Sequence, residues 1–142
     1  MKLSDYVVDL LVKNGIHHSF VISGGAIVHI ADSAENHSKM QVVGTQHEQA
    51  AGAAADMYSR ITGNIGLCMT TSGPGATNLV TSVCNAFFDS IPIICITGQV
   101  ARFRIKPTEA LRQKGFQETD IVSIFKSITK YWISRNILFY KF

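Results

Sequence analysis

One acidic side chain stands where it could exchange a proton. The stretch GTQHEQAAGAAADMYSRITG, residues 44–63, places His47 and Glu48 directly before a run rich in Ala and Gly. Because such small side chains let another backbone come close, we expect this helix to be buried between neighbours. At its mouth the helix dipole favours the negative charge of Glu48, and partial removal from water suits a carboxyl group to proton transfer. A helix-start acid without chemistry is the open alternative, and an orienting or packing role fits His47 better than catalysis.

Glycine-rich turns or polar clusters follow each of four predicted strands. In chain order they are Gly24-Gly25, residues 45–48, residues 72–75 and Gly98-Gln99. In an open α/β sheet the carboxyl ends of the strands form the edge where ligands bind. Each cluster alone is explained as a turn, whereas four at one edge, one of them carrying His-Glu, favour a binding site.

The segment SGPGATN, residues 72–78, is a glycine loop that leads into a helix. Unpaired N–H groups at such a helix start favour anions or other hydrogen-bond acceptors. Asn78 stands where the dinucleotide fingerprint has its third glycine, and the Gly-Lys-Ser/Thr of a phosphate-clamping loop does not occur there. Pro74 makes a stiff turn that lets the backbone approach a ligand or another subunit.

Hydrophobic periodicity predicts the elements that position these residues. Helices are predicted at 3–14, 26–35, 48–61 and 76–90, with a shorter one at 118–128, and strands at 17–23, 39–45, 65–71 and 91–98. Helices between successive strands require crossovers and a parallel sheet, and nearly continuous apolar strands indicate a sheet covered on both faces. The predicted fold is a doubly wound α/β domain with helices on both faces. In the first helix, we expect the core face to contain Leu3, Val7, Leu10 and Leu11.

Composition limits the class of protein. The 142 residues are 46% hydrophobic and 16% charged, as expected for one globular domain. The longest apolar run, IPIICITG, is too short to cross a membrane, and acidic residues near the N-terminus do not fit a signal peptide, so we expect a cytoplasmic protein. The spacing of Cys68, Cys84 and Cys95 matches neither a metal nor a redox motif and favours buried, reduced thiols.

Basic residues are concentrated towards the end of the sequence. Residues 1–100 contain four Lys/Arg against seven Asp/Glu, whereas residues 101–142 contain nine against three. The basic loop, residues 101–115, could meet an anionic ligand or an acidic partner, and a solvated loop is the alternative. No reading motif for nucleic acid is present in the sequence.

Taken together, the motifs resemble the N-terminal pyrimidine-binding domain of thiamine diphosphate enzymes, in particular the acetolactate synthase branch. The resemblance rests on residues 44–63, on TTSGPGATNLVTSVCNAFFDSIPIICITGQV, on the first glycine turn and on GFQETDIVSIFKSITKY. It covers residues 1–131 as one domain. Residues 132–142 do not resemble the linker of that family and suggest a truncation, a frameshift or a fragment.

The resemblance implies roles for particular residues. Glu48 matches the catalytic glutamate, which hydrogen-bonds the aminopyrimidine ring of the cofactor and promotes its imino tautomer, so that the cofactor can attack a 2-keto acid. The positions that match the cofactor pocket or the facing subunit are Gly24, Gly25, Ser72, Pro74 and Asn78. Phe116 and Gln117 match residues near the substrate. The small-residue helix then fits a tight interface in a homodimer or tetramer.

The resemblance also implies what these residues lack. The family binds the diphosphate through Mg²⁺ in a second domain that starts with Gly-Asp-Gly, and this tripeptide is absent from the sequence. We therefore expect no metal ligands in this chain, weak cofactor binding and no measurable activity by the chain alone; FAD is possible in a full-length enzyme. Ser23 replaces a common proline, and the longer basic loop suggests a divergent branch. A subunit of a split 2-keto acid decarboxylase and a non-catalytic dimerising module are the alternatives.

Overall fold

A single parallel sheet forms the centre of the computed structural model, which describes residues 1–132. Its strands are β1 (His18–Val21), β2 (Gln41–Gly44), β3 (Gly66–Thr70) and β4 (Ile93–Thr97), in the order β2-β1-β3-β4. After β2 the chain crosses back over β1 to form β3 on its other side. The strand order therefore reverses between β1 and β3, and in open α/β sheets ligands bind at the carboxyl side of such a switch point.

Helices connect the strands. They are α1 (Leu3–Lys13), α2 (Val28–Glu35), α3 (Glu48–Thr62), α4 (Pro74–Thr77), α5 (Val80–Phe88) and α6 (Ile121–Phe125), with a short 3₁₀ turn at Arg102–Arg104. None of the helices within residues 1–132 is long and apolar enough to cross a membrane.

Both faces of the sheet are covered, because successive side chains of a strand point to opposite sides. In β3, Leu67 and Met69 belong to a core cluster that includes Val8 of α1 and Ala34 of α2. Cys68, between them, belongs to a second cluster with residues of α3, α5 and α6. The predicted parallel α/β sheet with helices on both faces is confirmed.

Two predicted helices differ from the structure. The helix predicted over residues 76–90 is split into α4 and α5, because the Leu79 N–H bonds to the Ala76 carbonyl three residues back, which tightens the chain between them. The helix predicted over residues 118–128 is confined to α6, where the Asp120 carboxylate accepts the Ser123 N–H and caps the start.

Predictions of burial were wrong at three places. In α1 the fully buried residue is Val8, while Leu3 and Leu10 are 43% and 48% exposed, because the helix packs along an adjacent stripe. Strand β4 is only half-buried, since among the described residues it pairs on one side alone, with β3. Cys68 is buried as predicted, but Cys84 and Cys95 are only partly so.

The C-terminal tail, predicted over residues 132–142, lies outside the described residues except for Trp132.

Candidate functional site

Glu48 is the first residue of α3, and hydrogen bonds hold both the start of this helix and the Glu48 side chain in place. The preceding residue, His47, caps the helix: its Nδ1 accepts the Gln49 N–H at 3.2 Å. The Asn78 side-chain amide donates to Oε2 of Glu48 at 2.9 Å. Glu48 is half-buried. A capped helix start and an amide donor together hold one carboxylate at the carboxyl edge of the sheet.

The turn after β3 packs against this carboxylate. A Cβ atom placed on Gly75 would lie 3.3 Å from Oε1 of Glu48 and 2.7 Å from Cγ2 of Thr71. On the other side of Thr71, a Cβ placed on Gly24 would lie 2.5 Å from the Thr71 Cβ. The two glycines therefore allow the turns after β1 and β3 to close on Thr71, at the point where the strand order reverses.

The segment around Gln117 reaches the same turn. Gly73 has a φ of 58°, and a Cβ there would lie 2.4 Å from the carbonyl oxygen of Gln117. Gln117 itself has a φ of 59°, which is uncommon for a residue with a side chain. The backbone of Gln117 therefore contacts Gly73, which directly precedes Pro74 and Gly75.

The structure brings most, but not all, of the candidate residues together. Glu48 and Asn78 are hydrogen-bonded, Ser72 is buried within the turn, and Gly24 and Gln117 contact residues of that turn. By contrast, a Cβ on Gly25 would meet no atom within 4 Å, Pro74 is exposed, and Phe116 is 76% exposed. The last three residues border open space beside the site.

Helix α3, which begins with Glu48, packs closely against α5. A Cβ on Gly52 would lie 2.7 Å from the Ser82 Cβ, and the Ser82 hydroxyl donates to the Gln49 carbonyl at 2.8 Å. Small residues are needed at this crossing. The helix was expected to be buried between neighbours, and within the chain it is buried on one side only: Ala51 and Ala55 are fully buried, whereas Ala50 and Ala53 are exposed.

A charged network joins the far ends of the same two helices. Asp56 of α3 accepts from Arg60 Nε at 2.7 Å and from the Asn85 amide at 2.6 Å, and Arg60 also pairs with Asp89 at 2.6 Å. Because Asp56 is 5% exposed, these donors are needed to satisfy a buried carboxylate. This network of charged groups holds α3, the helix that begins with Glu48, against the end of α5.

Sequence reasoning missed two residues near the site. Thr71 lies between Gly24 and Gly75, and the carboxylate of Glu118 accepts three backbone N–H groups from the basic loop. Both lie inside motifs that the sequence analysis used, TTSGPGATN and GFQE. Their types gave no signal, because a threonine and a glutamate in a loop are common on protein surfaces.

Two cavities lie away from Glu48. One of about 850 Å³ lies between β4, α5 and α6, and one of about 480 Å³ lies between α2 and the edge strand β2; neither is lined by Glu48. Within residues 1–132 no cluster of three or more His, Cys, Asp or Glu side chains could hold a metal ion.

Comparison with known proteins decides the family. Residues 1–124 match the family model described as "Thiamine pyrophosphate enzyme, N-terminal TPP binding domain". The chain belongs to this family. Relatives include an acetolactate synthase large subunit of Parasynechococcus marenigrum, 43% identical over 134 residues, which are 92% of this chain and 21% of the relative.

Two further relatives agree. An acetolactate synthase large subunit of Pyropia yezoensis is 46% identical over 128 residues, 88% of this chain and 21% of the relative. An acetolactate synthase of Mycobacterium bovis is 46% identical over 125 residues, 88% of this chain and 19% of the relative. The chain therefore spans about a fifth of the length of the curated relatives it matches, and corresponds to their N-terminal thiamine diphosphate-binding domain.

Proposed function

We propose that this chain supplies the pyrimidine-binding half of an active site that acts on 2-keto acids, as in acetolactate synthases. The observation that carries the proposal is the Glu48 carboxylate, held by Asn78 at 2.9 Å beside two glycine turns at the switch point of the sheet. Thiamine diphosphate, when bound, supplies the carbanion-stabilising chemistry that decarboxylation and carboligation require. The part of the protein is to bind, orient and exchange a proton.

The residues present fit the aminopyrimidine of that cofactor. A flat heterocycle needs a slot lined by residues with little side-chain volume, and Gly25 has open space in front of it. The ring nitrogen of the heterocycle needs a carboxyl group to share a proton with, and the Glu48 carboxylate lies at this edge of the sheet. Asn78 donates to one carboxylate oxygen and leaves lone pairs on the other for a ligand.

Glu48 is suited to hold and release a proton in this place. It lies at the start of α3, is half-buried and accepts a hydrogen bond from the Asn78 amide. Asn78 fixes the plane of the carboxylate, and the His47 cap fixes the start of the helix. The proton therefore moves to and from a carboxylate of defined orientation.

In our proposal, a second domain or subunit supplies the other parts of the active site. The diphosphate and Mg²⁺ are bound by a second domain or subunit, which faces the edge that carries Glu48. The exposed residues Phe116 and Pro74 border that edge and line the substrate side or the facing subunit. A homodimer or tetramer completes the site, and FAD, where present, binds in another domain.

The test replaces Glu48 by Gln in an enzyme made by joining this domain to the remaining part of an acetolactate synthase large subunit. Glu48→Gln keeps the shape and the hydrogen bond but cannot exchange a proton, so pyruvate consumption should fall by about 10²–10⁴-fold. Glu35→Gln, an exposed glutamate of α2, is the matched control and should retain activity.

Gel filtration and thermal unfolding establish that the Glu48→Gln enzyme assembles and folds as the parent does. Under those conditions, a Glu48→Gln enzyme that consumes pyruvate at the parental rate would show that the assigned role is wrong. Loss of activity in the Glu35→Gln control as well would trace the effect to surface charge and equally contradict the proposal.

A further inference from the structure

The basic loop is folded around one carboxylate. Glu118 accepts the Lys106 N–H on Oε1 at 2.7 Å, and it accepts the Lys114 and Gly115 N–H groups on Oε2 at 2.8 and 3.3 Å. These bonds, led by the one from Lys106 and supported by the charge of the Lys106 side chain, hold the pKa of Glu118 below its ordinary value. Glu118 is 9% exposed. A buried carboxylate that accepts three backbone donors is a fixed point of this loop.

The loop has little other internal support. Among the described residues, the stretch 106–117 takes part in two backbone-to-backbone hydrogen bonds, Leu111 N–H to Thr108 at 3.4 Å and Glu118 N–H to Gly115 at 3.1 Å. Residues 102–104 form one 3₁₀ turn and residues 106–114 contain neither helix nor strand. The hydrogen bonds from the loop backbone to the Glu118 side chain therefore replace the backbone-to-backbone hydrogen bonds that hold a helix or a strand in place.

Contacts continue from Glu118 to the candidate site. Gly115 is pressed against the loop's start, since a Cβ there would lie 2.8 Å from Cγ1 of Val100 and 3.0 Å from the Arg104 carbonyl oxygen. Two residues later the Gln117 backbone lies against Gly73, in the turn that packs on Glu48. Beyond Glu118, the Gln99 amide donates to the Thr119 carbonyl at 2.9 Å. The segment that carries Phe116 and Gln117 is thus held from both sides.

We propose that Glu118 is a positioning residue, which holds Phe116 and Gln117 and the basic loop at the edge of the site by binding the backbone of residues 106, 114 and 115. The part concerning substrate rests on the proposed function. The loop presents exposed cationic side chains, among them Arg102, Arg104 and Arg112, and the exposed Phe116 follows it directly in the chain. Without the Glu118 carboxylate, the basic loop, Phe116 and Gln117 are no longer held against the turn that contains Gly73.

The first test uses the chain itself and NMR. The amide signals of residues 106, 114 and 115 should shift together as Glu118 takes up a proton, at a pH below its ordinary pKa of 4.5. In Glu118→Gln this titration should vanish, and hydrogen exchange at the three amides should accelerate by about tenfold or more, because the neutral amide has one acceptor oxygen and an N–H₂ group that opposes a donor. Lys106 and Glu109 form the nearby charged pair, and the Glu109 side chain points to solvent, with 94% of its surface exposed.

Glu109→Gln is the matched control, since Glu109 belongs to the same loop, is paired with Lys106 and has a 94% exposed side chain. It should keep both the titration and the slow exchange. A Glu118→Gln chain with parental exchange at the three amides would overturn the proposal. So would equal acceleration of exchange throughout β3 and α3, because Glu118 would then support the fold as a whole.

The second test concerns the substrate side, in the joined enzyme. Glu118→Gln should raise KM for the keto acid by about tenfold and lower kcat by less than about threefold, since it displaces binding residues and leaves Glu48 in place. Equal KM in parent and variant would overturn this part of the proposal. The two proposals fail separately: an active Glu48→Gln enzyme refutes the proposed function, while the amide titration of Glu118 is read without any activity.

Discussion

Replacing Gly66 by Ala tests the close approach of α3 to β3, on which the position of Glu48 depends. A Cβ atom on Gly66 would lie 2.0 Å from the carbonyl oxygen of Ala55, 2.6 Å from its carbonyl carbon and 3.0 Å from its Cα. All three are backbone atoms of α3, so no side chain can turn away. Ordinary contact begins at about 3.4 Å, and the helix must therefore move by more than 1 Å.

Such a displacement is costly because Ala51 and Ala55 of α3 pack on Cys68 in one of the two core clusters. A gap of 0.5–1 Å already removes about a quarter to a half of the dispersion attraction between facing atoms. Insertion of a methyl group into a packed core costs about 1–3 kcal/mol, and an unyielding backbone places Gly66→Ala at about 3 kcal/mol.

Urea unfolding of the chain measures this cost. With a slope of about 1–3 kcal/mol per molar urea, a loss of about 3 kcal/mol lowers the midpoint by about 1 M or more. Gly44→Ala is the matched control: Gly44 ends β2, and a Cβ there meets nothing within 4 Å. We expect that control to be neutral or more stable by about 0.4–1 kcal/mol. Equal midpoints for the two variants would refute the inferred contact.

Two further predictions concern titration and thiol reactivity. Asp5 accepts hydrogen bonds from the Ser33 hydroxyl at 2.7 Å and from the Lys2 N–H at 3.0 Å, and these bonds lower the pKa of Asp5. The stability that Asp5 contributes is therefore present above about pH 4 and is lost as the pH falls through its folded-state pKa. The urea midpoint of Asp5→Asn should fall less between pH 6 and pH 3 than that of the parent, and an equal fall would contradict this. The hydrogen bond to Cys95 and burial raise the pKa of Cys68, so at pH 8 Ellman's reagent should label Cys84 and Cys95 in the folded chain and Cys68 only after unfolding. Rapid labelling of all three thiols would show that Cys68 is accessible.

Much of the candidate site followed from local patterns. The alternation of apolar strands with helices predicted the parallel sheet, and Gly63, with a φ of 71°, closes α3 as expected. Because parallel strands place their carboxyl ends at one edge, the turn containing Gly24 and the turn containing Ser72 were expected to meet, and they do so at Thr71. The roles of these residues toward cofactor and substrate stay predictions.

Other features depend on contacts that no local pattern shows. The exposed side of α1 and the half-buried state of β4 depend on which neighbours are present, and periodicity describes one element at a time. Likewise, the split between α4 and α5 coincides with the bond from Asn78 to Glu48, thirty positions away in the sequence. Long-range partners of this kind are set by packing.

The amino-acid order by itself determined the order of strands and helices, the family, and the glutamate at the start of a helix of small residues. The elements and the helix start follow from chain stereochemistry and hydrophobic period, which act over a few neighbouring residues, whereas the family follows from the match of residues 1–124 to a family model. Only the tertiary structure decided that Asn78 orients Glu48, that Gly66 admits the backbone of α3, and that Glu118 gathers three N–H groups of the basic loop. The reason is physical: a hydrogen bond or a steric contact requires two groups to meet in space, and distant parts of a chain meet only after it has folded.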